Sequence, residues 1–162
     1  MKYFSMDGRI DKDMVERFII FYNDHCFSNC TIVMNTVGGD TYKSETIIHM
    51  INQMPKCTLL IMAAYSVGLE IAINVKCKKL LSKTAKGMWH YGRCDTSVNV
   101  KGKPYYHEDE CLLRNLPIER KSAERIAKKI MTQKELKDFK EDKDIYFDYF
   151  RMREIFLEAG VM

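Results

Sequence analysis

The chain has 162 residues, 46% of them hydrophobic, with 26 basic and 22 acidic side chains and a formal net charge of +4. That length suits one domain with a sizeable core, and the predicted organisation is a single domain over 1–162. The charge is too mild to imply nucleic acid, no apolar run approaches the roughly 18 residues that cross a bilayer, and mixed polar residues follow Lys2 where a signal peptide would be apolar. A cytoplasmic protein with neither nucleic-acid nor membrane partners is the expectation.

In chain order, Lys2 to Met6 is a candidate first strand and Asp7-Gly8 has turn chemistry. Asp11 or Asp13 can cap a helix whose Val15, Phe18, Ile19 and Tyr22 recur at the spacing of a face packed on a sheet. Thr31 to Met34 is a short apolar run that stops at Asn35-Thr36-Val37-Gly38-Gly39-Asp40, where two glycines allow positive φ and close approach of the backbone. Asp40 or Thr41 is the predicted N-cap of a helix carrying Ile47, Ile48, Met50 and Ile51.

Thr58 to Ala63 reads as a buried parallel strand. The small residues around Ser66 in Ala64-Tyr65-Ser66-Val67-Gly68-Leu69 place its hydroxyl at the start of an apolar helix, where free amides and partial positive charge favour an oxyanion. Lys76 to Lys79 is predicted as a solvated turn into Leu80-Leu81, and Gly87 to His90 as a strand that delivers an imidazole. Asp95 to Tyr106 reads as an exposed strand and turn, and Glu108 to Met131 as a helix divided at Pro117. After Pro117 the charges interleave, and only Ile126, Ile130 and Met131 mark an apolar side. Thr132 to Glu135 is a capping box for a short helix to Phe139, and Arg151 to Ala159 is a last helix ended by Gly160.

The segments Asn35–Asp40, Ala63–Gly68 and Thr84–His90 resemble, in order and rough spacing, the glycine turn, serine segment and histidine segment of the ClpP peptidases. The likeness runs from about Tyr3 to Gly160, including Phe4, Gly8 and Ile10 in the entry strand and the Asp-x-x-x-Asp-x-Phe pattern on Asp144, Asp148 and Phe150. It implies an α/β, ClpP/crotonase-like fold of repeated β-α units with a projecting handle strand and helix at approximately 95–131. It implies Ser66 as nucleophile, His90 as base and Asp144 as the residue that orients the base, with the amides of Gly38 and Val67 as the oxyanion hole. Gly39 and Asp40 fall where substrate binds. The implied activity is serine endopeptidase hydrolysis of peptides or unfolded proteins inside stacked heptameric rings of the chain, a tetradecamer, with no cofactor. The family's partner is a AAA+ Clp ATPase, engaged through an N-terminal axial-loop segment that this sequence lacks.

Where the family usually has proline, this chain has Val37 before the glycine pair and Gly92 after the histidine; Asp40 replaces an apolar residue, and Met62-Ala63 replaces Gly-Gln. Glu70, one turn past Ser66 in an otherwise apolar helix, needs a partner, for which a lysine of a neighbouring subunit is one candidate. The alternative function is an inactive or weakly active ClpP homologue that modulates another ClpP complex. Acyl-CoA chemistry on the related crotonase fold and a serine-lysine peptidase both fit the Ser, His and Asp set less well. The six cysteines lack a paired zinc spacing and read as small apolar fillers and surface thiols, so no metal is expected.

Overall fold

The computed structural model describes residues 2–90 and 121–158. Most of the expected handle, Pro117, Gly92, Cys94, Cys111 and Gly160 lie outside them. The chain divides into two compact units, one of Met1–Trp89 with Asp144–Met162 and one of His90–Lys143.

The first unit is a five-stranded sheet in the order β1-β2-β3-β4-β5. The strands are β1 (Lys2–Ile10), β2 (Cys30–Gly39), β3 (Cys57–Tyr65), β4 (Lys78–Trp89) and β5 (Ile145–Phe147). Helices α1 (Lys12–His25), α2 (Thr41–Asn52) and α3 (Val67–Asn74) connect the first four strands, which pair in parallel as such crossovers require. β5 is antiparallel to β4 and leads into α6 (Tyr149–Glu158), which packs on β4.

Alternation along the strands turns Phe4, Met6, Ile32, Met34, Leu59 and Ile61 into the core. Met14, Phe18, Ile47, Ile51, Leu69 and Ala72 are buried on the helices. Fully burying side chains of this size stabilises by about 1.5–3 kcal/mol each. The Phe4 ring meets Phe18 edge-on at 5.0 Å between centroids and Phe21 at 5.3 Å. Thus α1 buries Met14 and Phe18 rather than the Val15, Phe18, Ile19 and Tyr22 face: Asp11 caps the helix by accepting from the Met14 amide at 2.9 Å, and Ile19 stays exposed.

Several expected breaks are continuous strand. Asp7-Gly8 lies inside β1, where Gly8, at φ +88°, precedes a bulge. Opposite it, Gly8 pairs with Thr36 and Arg9 with Gly38, so Val37 is the extra residue on β2 and is 62% exposed. The glycine pair is therefore the bulged end of a strand. Leu80 and Trp89 share one strand, irregular between Leu81 and Lys86. Lys79 is not solvated: it is 5% exposed, and its Nζ donates to the Val75 carbonyl at the end of α3. β3 is parallel as expected but buried on one face only, leaving Met62 exposed.

In the second unit, the helix α4, described over 121–130, buries Ala123, Ala127 and Ile130, followed by buried Met131, while Ile126 is only half-buried. The expected face was too narrow because alanine, small and weakly apolar, carries half of the buried stripe. α5 (Gln133–Lys140) starts with the predicted capping box, Thr132 Oγ1 accepting from the Glu135 amide and Glu135 Oε2 from the Thr132 amide. No helix among the described residues is long and apolar enough to cross a membrane.

Candidate functional site

β3 ends at Tyr65 and α3 begins at Val67, so the chain reverses from strand to helix at one residue, Ser66. Its φ of 53° and ψ of −124° lie outside the regions open to L-residues, a conformation that costs about 1–3 kcal/mol and persists only where neighbours enforce it. Here the Ser66 amide donates to the Met88 carbonyl at 2.7 Å, and the Ser66 carbonyl accepts from the Leu69 amide at 3.0 Å. Unlike an ordinary N-cap, the Ser66 hydroxyl makes no capping hydrogen bond. It stands, half-buried, over a first helical turn whose leading amides, Val67 among them, have no intrahelical partner.

Gly38, at φ +94°, faces this turn. A Cβ there would lie 2.6 Å from Ser66 Cβ and 2.8 Å from the Tyr65 carbonyl oxygen. The Gly38 amide, expected as an oxyanion donor, donates at 3.1 Å to Thr36 Oγ1, which itself donates to the Gly8 carbonyl at 2.7 Å. Gly39 closes on the other side: a Cβ at this residue would overlap the Ile10 carbonyl oxygen, and the following Asp40 amide donates to that oxygen at 2.9 Å. The Asp40 carboxylate caps α2 by accepting from the Lys43 amide at 3.1 Å, with Lys43 Nζ 3.8 Å from its other oxygen. The residues expected to bind substrate thus also hold the ends of β1, β2 and α2.

Asp144 immediately precedes β5, is exposed, and belongs with Ser66 to the first unit; His90 follows β4 and is the first residue of the second. The last rung between β4 and β5 pairs Trp89 with Ile145. In sequence, His90 comes one residue after the first of these and Asp144 one residue before the second.

Beside the serine turn, Tyr65, Lys86, Gly87, Tyr146, Phe147, Asp148 and Arg151 line an open cleft of about 390 Å³. It was illegible beforehand because β5, too short to show a period, supplies two of its walls. Glu70 finds a partner within the chain: Trp89 Nε1 donates to its Oε1 at 3.0 Å, joining α3 to the end of β4. Trp89→Phe keeps an aromatic ring but removes this charge-assisted bond, so it is expected to lower unfolding free energy by about 2 kcal/mol, read by urea denaturation. Glu70→Gln, which keeps an acceptor oxygen, should cost distinctly less.

No protein-family model matches the chain, and no curated protein matches it. Among solved structures, it is similar to the ClpP1 N165D mutant from Listeria monocytogenes, with a TM-score of 0.68 and 19% sequence identity over 95% of this chain and 86% of that one. The mixed α/β architecture, with a five-stranded sheet and six helices among the described residues, is a ClpP-like fold.

Proposed function

We propose that this chain is a serine endopeptidase of the ClpP type, cleaving peptides or unfolded proteins with Ser66, His90 and Asp144 inside stacked heptameric rings of its own copies. The observation that carries the reading is the turn at Ser66. A strained backbone, fixed from β4 and faced by a glycine, presents a hydroxyl that does no capping work above free helix amides. A structural serine at a helix start gains nothing from such a conformation.

In the proposed reaction Ser66 Oγ attacks the peptide carbonyl as His90 takes its proton, and Asp144 fixes the imidazole tautomer and stabilises the imidazolium. The Val67 amide holds the developing oxyanion, joined by the Gly38 amide once it exchanges Thr36 Oγ1 for substrate oxygen. His90 returns the proton to the leaving amine, and water then hydrolyses the acyl-enzyme. Assembly into rings is supported by exposed apolar side chains that a lone copy leaves in water, Tyr3, Met62, Leu80, Tyr146 and Phe150 among them. A cytoplasmic location and delivery of substrate by a AAA+ Clp ATPase belong to the same proposal.

A second reading, an inactive homologue that modulates another ClpP complex, is favoured by one feature: the Gly38 amide and the Asp40 carboxylate are both committed to structural hydrogen bonds. A fluorophosphonate probe separates the two. Labelling of the wild-type protein that disappears in Ser66→Ala, with the assembly mass by light scattering unchanged, is the expected result. Undiminished labelling of Ser66→Ala removes Ser66 as nucleophile, and an unlabelled wild-type assembly favours the second reading.

A further inference from the structure

Three cysteines stand in a row at the end of the sheet where β2, β3 and β4 begin. Cys30 opens β2 and Cys57 opens β3, and the two are register partners. Cys77 immediately precedes β4, and the next residues along, Thr58 and Lys78, are partners. Neighbouring strands lie about 4.8 Å apart, inside the roughly 4.4–6.8 Å between Cα atoms that a disulfide bridges. The outer two, Cys30 and Cys77, are two strand spacings apart, about 10 Å. That is too far for three thiolates to converge at about 2.3 Å on one zinc ion, and the described residues hold no cluster suited to a metal. The row is built for chemistry between neighbours.

The three thiols differ in environment. Cys30 and Cys57 are 3% and 6% exposed, while Cys77 is half-open to solvent; all three are free. The neighbouring Cys77 sulfur, with burial, pushes the Cys57 thiol up. The proximity of Cys57 in turn draws the Cys77 thiol down against the opposing effect of its burial, helped by the Lys79 ammonium and the amides of Cys77 and Leu59. Burial raises Cys30. A half-buried thiol that ionises more readily than an ordinary cysteine therefore sits beside a buried thiol that ionises less readily, a pairing that fillers of a core do not need.

We propose that Cys77 is a thiol-modification site that reacts with low-molecular-weight disulfides, with Cys57 as its resolving thiol. The Cys77 thiolate attacks one sulfur of the reagent, forming a mixed disulfide and expelling one thiolate. Cys57 then gives up its proton and attacks the Cys77 sulfur, forming a Cys57–Cys77 bond and expelling the second thiolate. The protein pair loses two protons and two electrons, and the reagent disulfide gains them as two thiols. The bond would close a loop that carries β3, Ser66 and α3, yet the site lies at the opposite end of β3, about 26 Å from the serine turn, and its chemistry is independent of peptidase activity.

The test is to incubate the native full chain with oxidised glutathione, quench in acid, and map the peptides by mass spectrometry. The expected product is lighter by two hydrogens and joins the Cys57 and Cys77 peptides; Cys57→Ala should instead accumulate a glutathionyl adduct on Cys77. A Cys30–Cys57 bridge, or adducts confined to cysteines other than Cys77, would overturn the proposal. Should Cys57→Ala not fold, iodoacetamide kinetics on the wild-type protein decide. Cys77 should alkylate about tenfold faster than Cys26, the other half-buried free thiol among the described residues, and equal rates would count against it.

Discussion

Asp144→Asn is expected to lower turnover about 10⁴-fold with little change in unfolding free energy if the proposed triad holds, because an amide in place of an orienting carboxylate favours the wrong imidazole tautomer. Nearby acids provide the control. Asp148 is already engaged as the cap of α6, its Oδ1 accepting from the Arg151 amide at 2.9 Å and its carbonyl from the Met152 amide at 2.8 Å. Asp148→Asn should therefore leave activity nearly intact, since asparagine caps about as well. Asp142 holds a left-handed turn after α5, at φ 58°, which asparagine also tolerates. Steady-state hydrolysis of a short peptide ester by the three variants checks the assignment. If Asp148→Asn proves the damaging change, the orienting carboxylate lies one helical turn further along.

Gly39→Ala should have the largest effect on stability of any glycine-to-alanine change among the described residues. The new Cβ would overlap the Ile10 carbonyl oxygen and come within 2.8 Å of the Ile10 nitrogen and 2.9 Å of its carbonyl carbon, all backbone atoms that cannot rotate away. At φ +152° the residue is also in a region that side chains avoid. Relief requires parting the ends of β1 and β2 and releasing the Asp40 amide from Ile10. Overpacking and backbone strain of this kind cost about 3 kcal/mol or more, measured by urea unfolding. Gly8→Ala, which meets nothing within 4 Å but shares a positive φ, isolates the conformational part of that loss.

The parallel βα order was legible because each strand pairs with the next and three helices carry a side-chain cap at a position the sequence offered: Asp11, one of two candidates with Asp13, Asp40, one of two with Thr41, and Thr132. What escaped was tertiary. Asp7-Gly8 and the Gly38-Gly39 pair look like turns locally, but pairing between β1 and β2 absorbs their positive φ angles in a bulged, extended ladder. β5 has three residues, too few to show a period, and exists only because β4 offers an edge. At the site, the sequence marks Ser66 by small neighbours, but its strained backbone depends on contacts to Met88 and Gly38 from other strands. Glu70 announced that it needed a partner without announcing Trp89, nineteen residues away.

β4 and β5 are antiparallel neighbours, a pair that a two-residue hairpin could join, yet the chain passes through residues 90–143 between them. Loop closure becomes costlier by about 0.6 kcal/mol with each doubling of length, so this detour adds roughly 3 kcal/mol of chain entropy over a hairpin. Three rungs of ladder and the packing of α6 must offset that on their own, unless the intervening segment folds first and returns its two ends near each other. On loop length alone, the seam between Trp89 and Ile145 is expected to close after the pairings among β1 to β4, whose connections are shorter. Nascent chains that have not yet synthesised residues beyond 143 would hold a four-stranded sheet with an open edge at β4, a species in which Trp89 waits for its strand partner.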